Sequence, residues 1–179
     1  MKSGGEDSVA VIGDSTFAHS GITGLLNIAY NQSNSTVIIL DNSITGMTGH
    51  QNNPINGFDI NGEPAGQLNI EKLCESMGIK RVQIVDPYDL EQTQKTIEDE
   101  VSSDEVSVII SRRPCVLLKN VKSTGPVKID NDKCILCKAC LKLGCPSISM
   151  KDGRVFINQN MCFGCGVCKQ ICRKEAIND

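Results

Sequence analysis

Residues 134–172 read CILCKACLKLGCPSISMKDGRVFINQNMCFGCGVCKQIC and hold eight of the ten cysteines in this 179-residue chain. These cysteines form two copies of one pattern. The first copy has the spacing C-x2-C-x2-C-x4-C-P and comprises Cys134, Cys137, Cys140 and Cys145. The second has the spacing C-x2-C-x2-C-x3-C and comprises Cys162, Cys165, Cys168 and Cys172. Runs of this kind are typical ligand sets of paired [4Fe–4S] clusters.

The spacing also predicts how the two copies share their ligands. A loop with two short spacers can place three thiolates at three corners of a cubane, but it cannot reach the fourth corner, which the other copy supplies. We therefore predict one cluster on Cys134, Cys137, Cys140 and Cys172, and a second cluster on Cys162, Cys165, Cys168 and Cys145. We call these cluster 1 and cluster 2. The pattern indicates electron transfer.

Zinc and disulfides are the competing interpretations of these cysteines. Structural zinc sites favour two cysteine pairs with a longer spacer, often with histidine, and no histidine follows His50. Disulfides belong to secreted chains, whereas the residues after Met1 show neither a signal peptide nor a long apolar span. Both interpretations are therefore disfavoured.

The two cysteine runs belong to an internal repeat with a period of 28 residues, in which residues 127–134 align with residues 155–162. Each copy reads as a short strand, a cluster loop and a helical turn after the fourth cysteine. The copies differ in the longer last spacer of the first, and in Arg173, which follows Cys172 where Pro146 follows Cys145. We expect a small pseudo-twofold domain whose thin core depends on its clusters.

Formal charge divides the chain into two predicted domains, residues 1–120 and 121–179. The second carries ten Lys and Arg against five Asp and Glu, and the first carries eight against sixteen. The basic excess compensates the anionic clusters, the interpretation we favour, or forms a docking face for an acidic electron carrier. Nucleic-acid binding is disfavoured because aromatic residues make up only 3% of the chain. We expect no membrane partner and a reducing cytoplasm, such as that of an anaerobe.

The first 120 residues alternate between strand and helix patterns, which predicts an α/β domain. Apolar runs at residues 9–12, 36–40, 82–85 and 106–110 are typical of buried parallel strands. Apolar residues at helical spacing predict helices after Ser20 and after Asn69, each of which would be an N-cap, and a further helix over residues 90–101. Residues 43–66 are rich in Gly, Asn and Pro and predict a long functional loop.

Polar residues follow the first two predicted strands, at the edge where open α/β sheets bind ligands. Gly13, Asp14 and Ser15 follow the first strand, and Asn42 follows the second, 28 residues after Asp14. One carboxylate oxygen and one amide oxygen suit Mg²⁺, which usually completes its shell with water and phosphate. The predicted helix N-terminus at Ser20 would favour phosphate at the same edge.

Three stretches together resemble one known family. Residues 13–24 read GDSTFAHSGITG, residues 40–42 read LDN, and residues 45–51 read TGMTGHQ. This combination resembles the alpha subunit of indolepyruvate ferredoxin oxidoreductase, although Ser15 stands where the thiamine motif normally has its second glycine. The resemblance covers essentially the whole chain, including residues 86–88 and 112–115. It implies a partial thiamine-diphosphate-binding doubly wound parallel sheet followed by a small α+β 2[4Fe–4S] ferredoxin-like domain.

The resemblance also implies roles for individual residues. The side chains of Asp14 and Asn42 would ligate Mg²⁺, with the carbonyl oxygen of Ile44 as a third protein ligand. Backbone groups at the end of the first strand would meet the diphosphate of thiamine diphosphate, namely those of Gly13, Ser15 and Thr16. His50 would lie near the thiazolium ring and is a candidate general base, with a purely structural role equally open.

The family's reaction supplies the expected function. An aryl 2-oxoacid such as indolepyruvate would lose CO₂, coenzyme A would take the acyl group, and two electrons would leave one at a time through the clusters to external ferredoxin. The expected partners are a beta subunit and an N-terminal pyrimidine-binding region, which carries the glutamate that activates the cofactor. We find no residue for that role here, so we expect the isolated chain to be inactive. Two alternatives stay open: a related oxidoreductase with a different 2-oxoacid, and a stand-alone ferredoxin-like electron carrier with a degenerate thiamine-binding appendage.

Overall fold

Four apolar runs form one parallel sheet in the computed structural model, which describes residues 8–179. The strands are β1 (Ser8–Gly13), β2 (Ser35–Asp41), β3 (Arg81–Val85) and β4 (Ser107–Arg112), in the order β1-β2-β4-β3. In the register of the sheet, Val37 of β2 pairs with Ala10 of β1 and with Val108 of β4. The four predicted strands are confirmed, with ends that shift by no more than two residues.

Helices lie on both faces of this sheet. A continuous helical run follows β1 and consists of α1 (Asp14–Thr16), a π-helical turn (Phe17–Gly21) and α2 (Ile22–Tyr30); α3 (Ile70–Ser76) and α4 (Leu90–Val101) come later. One sheet face packs against α2 and α3 in a core that includes Val37, Ile39, Val108, Leu25 and Ile70. On the other face, Thr36 donates a hydrogen bond of 3.2 Å to the carbonyl oxygen of Glu100 in α4. The predicted doubly wound α/β class is therefore confirmed.

The start of the first helix differs from the prediction. The helical run begins at Asp14, directly after β1, and its N-cap is Gly13 in an extended conformation without a side-chain hydrogen bond. The prediction of Ser20 as an N-cap is wrong, because Ser20 lies inside the π-helical turn, where its hydroxyl group is 3.4 Å from the carbonyl oxygen of Thr16. The mostly small and polar residues before Ile22 show no apolar period, so periodicity placed the helix start too late.

The prediction for the next helix is confirmed at both ends. The Asn69 side chain accepts a hydrogen bond of 2.7 Å from the Lys72 backbone N–H, and Gly78 follows with a φ of 84°. Between Asp41 and Ile70 the chain forms turns and two isolated bridges, Thr45 with Gln51 and Phe58 with Pro64. This is the predicted long loop, and it contributes the buried side chain of Ile55 to the core.

The second unit contains two small antiparallel sheets. Strand β5 (Lys128–Ile129) pairs with β8 (Ile177–Asn178), and β6 (Ile148–Lys151) pairs with β7 (Arg154–Ile157). A 3₁₀ helix (Ala139–Leu143) and α5 (Val167–Ile171) lie between the third and fourth cysteines of their copies. The prediction of a helical turn after each fourth cysteine is therefore wrong, since β6 and β8 are the next elements there. The α+β class is confirmed.

The two units divide near the predicted boundary. The first unit ends at Cys115 and the second runs from Val116 to Asp179, so the boundary predicted after residue 120 falls inside the second unit. Each unit has its own core, and that of the second includes Val127, Ile157 and Ile177. Among residues 8–179, no helix combines the length and the apolar composition that crossing a bilayer requires.

Candidate functional site

The polar residues at the carboxyl ends of β1 and β2 centre on Asp14, which is only 3% exposed. Its Oδ1 accepts a hydrogen bond of 2.7 Å from the Ser15 backbone N–H. Its Oδ2 is buried and has no hydrogen-bond partner, a property that the structure assigns to no other buried side-chain oxygen or nitrogen within residues 8–179. Buried polar atoms are nearly always paired, so this oxygen indicates a missing partner.

The electrostatic environment of Asp14 disfavours its charge. Burial raises the pKa of this carboxyl group, the Ser15 N–H lowers it, and the nearby carboxylate of Asp41 raises it again, with a net shift upward. The Ser43 N–H and the Asn53 side chain lower the pKa further down the order, although their own hydrogen bonds go to Asp41 and Thr45. A cation beside Oδ2 would reverse this balance, because an opposite charge favours the ionised form.

Asp41, the second buried carboxylate at this edge, has the partner that Asp14 lacks. Its Oδ2 accepts a hydrogen bond of 2.6 Å from Nε of Arg112, at the end of β4. The same guanidinium group holds both carboxylate oxygens of Glu71, at 2.6 and 3.0 Å. These two carboxylates hold the pKa of Arg112 above its ordinary value, and Arg112 holds the pKa of Glu71 below its ordinary value. The sequence analysis did not find this triad.

The loop after β2 brings together other predicted residues. The Asn42 Oδ1 accepts a hydrogen bond of 3.1 Å from the Ile44 N–H, and the Ile44 side chain is buried. The Thr45 hydroxyl donates to the Ser15 hydroxyl at 2.8 Å, which ties the loop to the start of the first helix. Ser15 thus has a structural contact that a glycine at this position could not make.

The remaining predicted residues of this edge are more exposed. Thr16 is exposed in the first helical turn, and a Cβ placed on Gly13 would have no neighbour within 4 Å. His50 is exposed and adopts a left-handed conformation with a φ of 64°, next to the bridge between Thr45 and Gln51. Its assignment as a candidate base stays a prediction.

The oxygen atoms at this edge fit a magnesium ion that is partly ligated by a phosphate group. Asp14 offers a free carboxylate oxygen, and Asn42 and Ile44 offer an amide and a carbonyl oxygen beside it in the chain. Within residues 8–179, no three His, Cys, Asp or Glu side chains converge on a point where they could hold a single ion. Mg²⁺ needs no such group, because it is usually bound by one or two carboxylates and completed by water and phosphate.

The second unit brings together cysteines from both copies. Cys134, Cys137, Cys140 and Cys172 line one cavity of about 320 Å³. Burial raises the pKa of the Cys140 thiol, and the three other thiols of this set raise it further. The Ala176 backbone N–H also donates to Sγ of Cys172, at 3.3 Å. The four thiols thus surround a space instead of meeting at one point, as a multi-atom cluster requires.

The complementary set shows the same crossing. Burial raises the pKa of Cys168 to about 11, and Cys165, Cys162 and Cys145 raise it as well. Cys145 belongs to the first copy and the other three belong to the second. The structure therefore groups the eight cysteines as the spacing predicts, and their assignment as cluster ligands stays a prediction. Cys74 and Cys115 lie in the first unit, where Cys74 is fully buried.

Comparisons with known proteins cover both units. A family model described as "Thiamine pyrophosphate enzyme, C-terminal TPP binding domain" matches residues 1–111, and one described as "4Fe-4S dicluster domain" matches residues 126–173. The chain is also similar to proteins named "Indolepyruvate oxidoreductase subunit IorA". It is 42% identical over 170 residues to that of Methanothermobacter marburgensis, covering 94% of this chain and 28% of the relative.

Two further relatives of the same name give similar values. The protein of Archaeoglobus fulgidus is 38% identical over 175 residues, which covers 94% of this chain and 28% of the relative. That of Thermococcus kodakarensis is 40% identical over 177 residues, which covers 94% and 27%. The chain thus spans little more than a quarter of the length of these curated relatives, and the resemblance found in the sequence is confirmed.

Proposed function

We propose that this chain, which belongs to the thiamine pyrophosphate enzyme family, is the cofactor-binding and electron-transfer part of a 2-oxoacid:ferredoxin oxidoreductase. Its substrate would be indolepyruvate or another aryl pyruvate, in line with the name that its relatives carry. Coenzyme A would take the acyl group and external ferredoxin would take the electrons. Such chemistry needs the reducing conditions of the cytoplasm.

The observation that carries this proposal is the crossed grouping of thiols around a cavity. Cys134, Cys137 and Cys140 come from one copy of the repeat and Cys172 comes from the other. Four thiols around a shared space suit a cubane cluster, whose iron corners each take one thiolate. With the complementary set around Cys168, the chain would hold two [4Fe–4S] clusters. Paired clusters can divide a two-electron oxidation into two one-electron transfers.

The edge of the parallel sheet would hold the cofactor. Asp14, through its unpartnered Oδ2, would ligate Mg²⁺ together with the Asn42 side chain and the Ile44 carbonyl oxygen. Backbone groups that surround this position would meet the diphosphate, namely those of Gly13, Ser15 and Thr16. Thiamine diphosphate supplies, when bound, the electron sink that decarboxylation of a 2-oxoacid requires. His50 would be available as a base beside the bound substrate.

The catalytic assembly would need further polypeptide. On the sheet face that carries α4, the half formed by β1 and β2 is uncovered: Val9 is 50% exposed, Val11 62% and Leu40 46%. Sheets of parallel strands are normally covered on both faces. We propose that an N-terminal pyrimidine-binding region and a beta subunit complete the enzyme, and that the isolated chain does not turn over substrate.

Cluster content in double cysteine variants tests the crossed ligand sets. We expect the full chain, purified without oxygen, to contain about eight iron atoms in two clusters. Replacing Cys134 and Cys172 together by serine removes two ligands of the same cluster, so one cluster should be retained. Replacing Cys162 and Cys172 together removes ligands of both clusters, so neither should be retained. Iron analysis and EPR spectroscopy of the dithionite-reduced protein measure both outcomes.

Uncrossed clusters would reverse the two double variants, and an iron-free wild-type chain would refute the electron-transfer function itself. The matched control is Cys115→Ser, which removes a thiol outside both copies and should leave the iron content unchanged.

A further inference from the structure

A short segment before the first copy of the repeat is hydrogen-bonded to the cysteine loop of the second copy. We call residues 123–125 the strap. The Ser123 hydroxyl donates to the carbonyl oxygen of Phe163 at 2.7 Å, and the Thr124 hydroxyl donates to the carbonyl oxygen of Gly164 at 2.6 Å. The Ser123 hydroxyl oxygen also accepts from the Gly125 backbone N–H at 3.1 Å, which orients it.

The loop fits the strap because residue 164 is a glycine. Gly164 has a φ of 83°, in the left-handed region, and a Cβ on it would lie 2.5 Å from the Thr124 hydroxyl oxygen and overlap the carbonyl oxygen of Gly125. Any other residue at this position would push the strap away. Phe163 and Gly164 are the two residues between Cys162 and Cys165, so the strap lies directly on the cysteine loop of cluster 2.

The two hydrogen bonds fix the direction of two peptide planes. In a trans peptide the C=O and the following N–H point in opposite directions, and the chain has no cis peptide bond among residues 8–179. With the carbonyl groups of Phe163 and Gly164 held toward the strap, the N–H groups of Gly164 and Cys165 point away from it. Neither N–H donates to any group in the described part of the chain.

The equivalent loop of the first copy has no strap. Ile135 and Leu136 occupy the positions of Phe163 and Gly164 in the repeat, and Leu136 also has a left-handed conformation, with a φ of 55°. Ile135 is 61% exposed and Leu136 is 44% exposed. Across residues 8–179, no side chain donates to the carbonyl group of either residue. The two cysteine loops therefore differ in how firmly their peptide planes are held.

We propose that the strap is a positioning element which aims the Gly164 and Cys165 N–H groups at the sulfur atoms of cluster 2 and thereby raises its reduction potential above the value that an unstrapped loop would give. Hydrogen bonds to cluster sulfur atoms stabilise the more negative, reduced state. Cluster 1 lacks this device, so the strap makes the two clusters inequivalent. This inference rests on the proposed function, because it requires both clusters to form.

Redox titration of the full chain, followed by EPR spectroscopy, tests the inference. The variant Thr124→Val removes one hydroxyl donor and keeps the side-chain shape, and the double variant Ser123→Ala/Thr124→Val removes both donors. We expect the double variant to lower the ratio of reduced to oxidised cluster 2 about tenfold at a fixed potential, a shift of about 59 mV for one electron. The cluster 1 midpoint should not change.

Three controls make the result specific. Thr124→Ser keeps the hydroxyl and should retain the wild-type midpoint. Ser149→Ala removes an exposed hydroxyl of the same unit that lies outside the strap, and should change neither midpoint. The chain with Cys165→Ser retains only cluster 1, which assigns the remaining midpoint, and strap variants in that background should leave it unchanged.

The outcomes separate the two levels of the argument. A wild-type chain without clusters would refute the proposed function. Two intact clusters with unchanged midpoints in the double variant would refute only the role of the strap. If Thr124→Val lost cluster 2 while Thr124→Ser retained it, the strap would serve cluster assembly and the tuning proposal would be wrong.

Discussion

The variant Asp14→Asn tests the magnesium site through a change in stability whose sign is unusual. Asp14 is buried and its Oδ2 has no partner, whereas a substitution in a binding site usually destabilises a protein or leaves it unchanged. In the metal-free chain we expect this variant to be more stable than the wild type. The reason is that asparagine keeps an acceptor for the Ser15 N–H and removes the unpaired charge.

The size of the effect follows from the hydrogen-bond inventory. A buried polar group without a partner costs about 1–3 kcal/mol, and a charged group costs more. The asparagine would still bury an amide N–H₂ without a full set of partners, so part of this penalty remains. We expect a net gain of about 1 kcal/mol in the free energy of unfolding at neutral pH.

The dependence on pH has a definite sign. The folded-state pKa of Asp14 is raised above its ordinary value of 3.8, chiefly by burial. The folded protein therefore holds this proton more tightly than the unfolded chain does, and stability decreases as pH rises from 3.8 through the folded-state pKa, then stays level. Asp14→Asn should lack this decrease, so its advantage should vanish in acid.

Urea unfolding followed by tyrosine fluorescence measures these quantities. Both tyrosines of the chain, Tyr30 and Tyr88, lie in the first unit, and there is no tryptophan, so the signal reports that unit. Wild-type protein with Mg²⁺ and thiamine diphosphate at one hundred times the dissociation constant should gain about 2.7 kcal/mol. Asp14→Asn should lose most of this gain.

Asp41→Asn is the matched control, because Asp41 is equally buried but ion-paired with Arg112. It should destabilise the metal-free unit by about 2 kcal/mol, the value of a hydrogen bond to a charged group. If Asp14→Asn also destabilised the metal-free protein, or kept the full stabilisation by Mg²⁺ and thiamine diphosphate, the assignment of Asp14 as a magnesium ligand would be wrong.

Three further predictions concern the same unit and the same assay. Arg112→Met leaves the charge of Asp41 buried and unpaired and should reduce the free energy of unfolding by about 3–5 kcal/mol; a loss below 1 kcal/mol would contradict this. Glu71 has a pKa held below its ordinary value of 4.5 by Arg112, so its contribution is present above pH 4.5 and is lost as pH falls through the folded-state pKa; Glu71→Gln should remove this acid-dependent loss. Gly21→Ala would place a Cβ 2.7 Å from an isoleucine side chain of β1 and should destabilise by about 1–3 kcal/mol, whereas Gly24→Ala meets nothing within 4 Å and should stabilise by up to about 1 kcal/mol.

The sequence was most informative where chemistry restricts the spacing of residues. Cluster ligands need three thiols within a few residues and a fourth from elsewhere, so the grouping of Cys140 with Cys172 could be predicted from the spacing alone. The buried strands were equally accessible, because parallel strands covered on both faces read as continuous apolar runs. The helix start at Asp14 was not, because the residues before Ile22 carry too few apolar side chains to show a period.

The features that the sequence did not reveal are pairings between distant residues. Arg112 meets Asp41 across 71 positions and Glu71 across 41, and no local pattern marks such a triad. The strap joins Ser123 and Phe163, 40 residues apart. A serine and a threonine in a segment that ends with Gly125 and Pro126 are typical of a linker, and only the fold shows that their hydroxyl groups meet two carbonyl oxygens of a cysteine loop.

The two buried carboxylates at the sheet edge explain how a stable domain can keep a binding site ready for a cation. Arg112 neutralises Asp41, so the edge carries one uncompensated carboxylate instead of two. If a second basic side chain paired with Asp14 as well, the domain would gain stability, but the carboxylate oxygen would no longer be available to a ligand. If Asp41 were unpaired too, mutual repulsion would favour protonation of one of them, and the site would lose affinity for a cation near neutral pH. One paired and one unpaired carboxylate is the arrangement that keeps a single charged oxygen available at modest cost. It follows that a lysine or arginine placed near Asp14 should stabilise the metal-free unit and abolish its stabilisation by Mg²⁺ and thiamine diphosphate, whereas an unchanged ligand effect in such a variant would mean that the cation binds elsewhere.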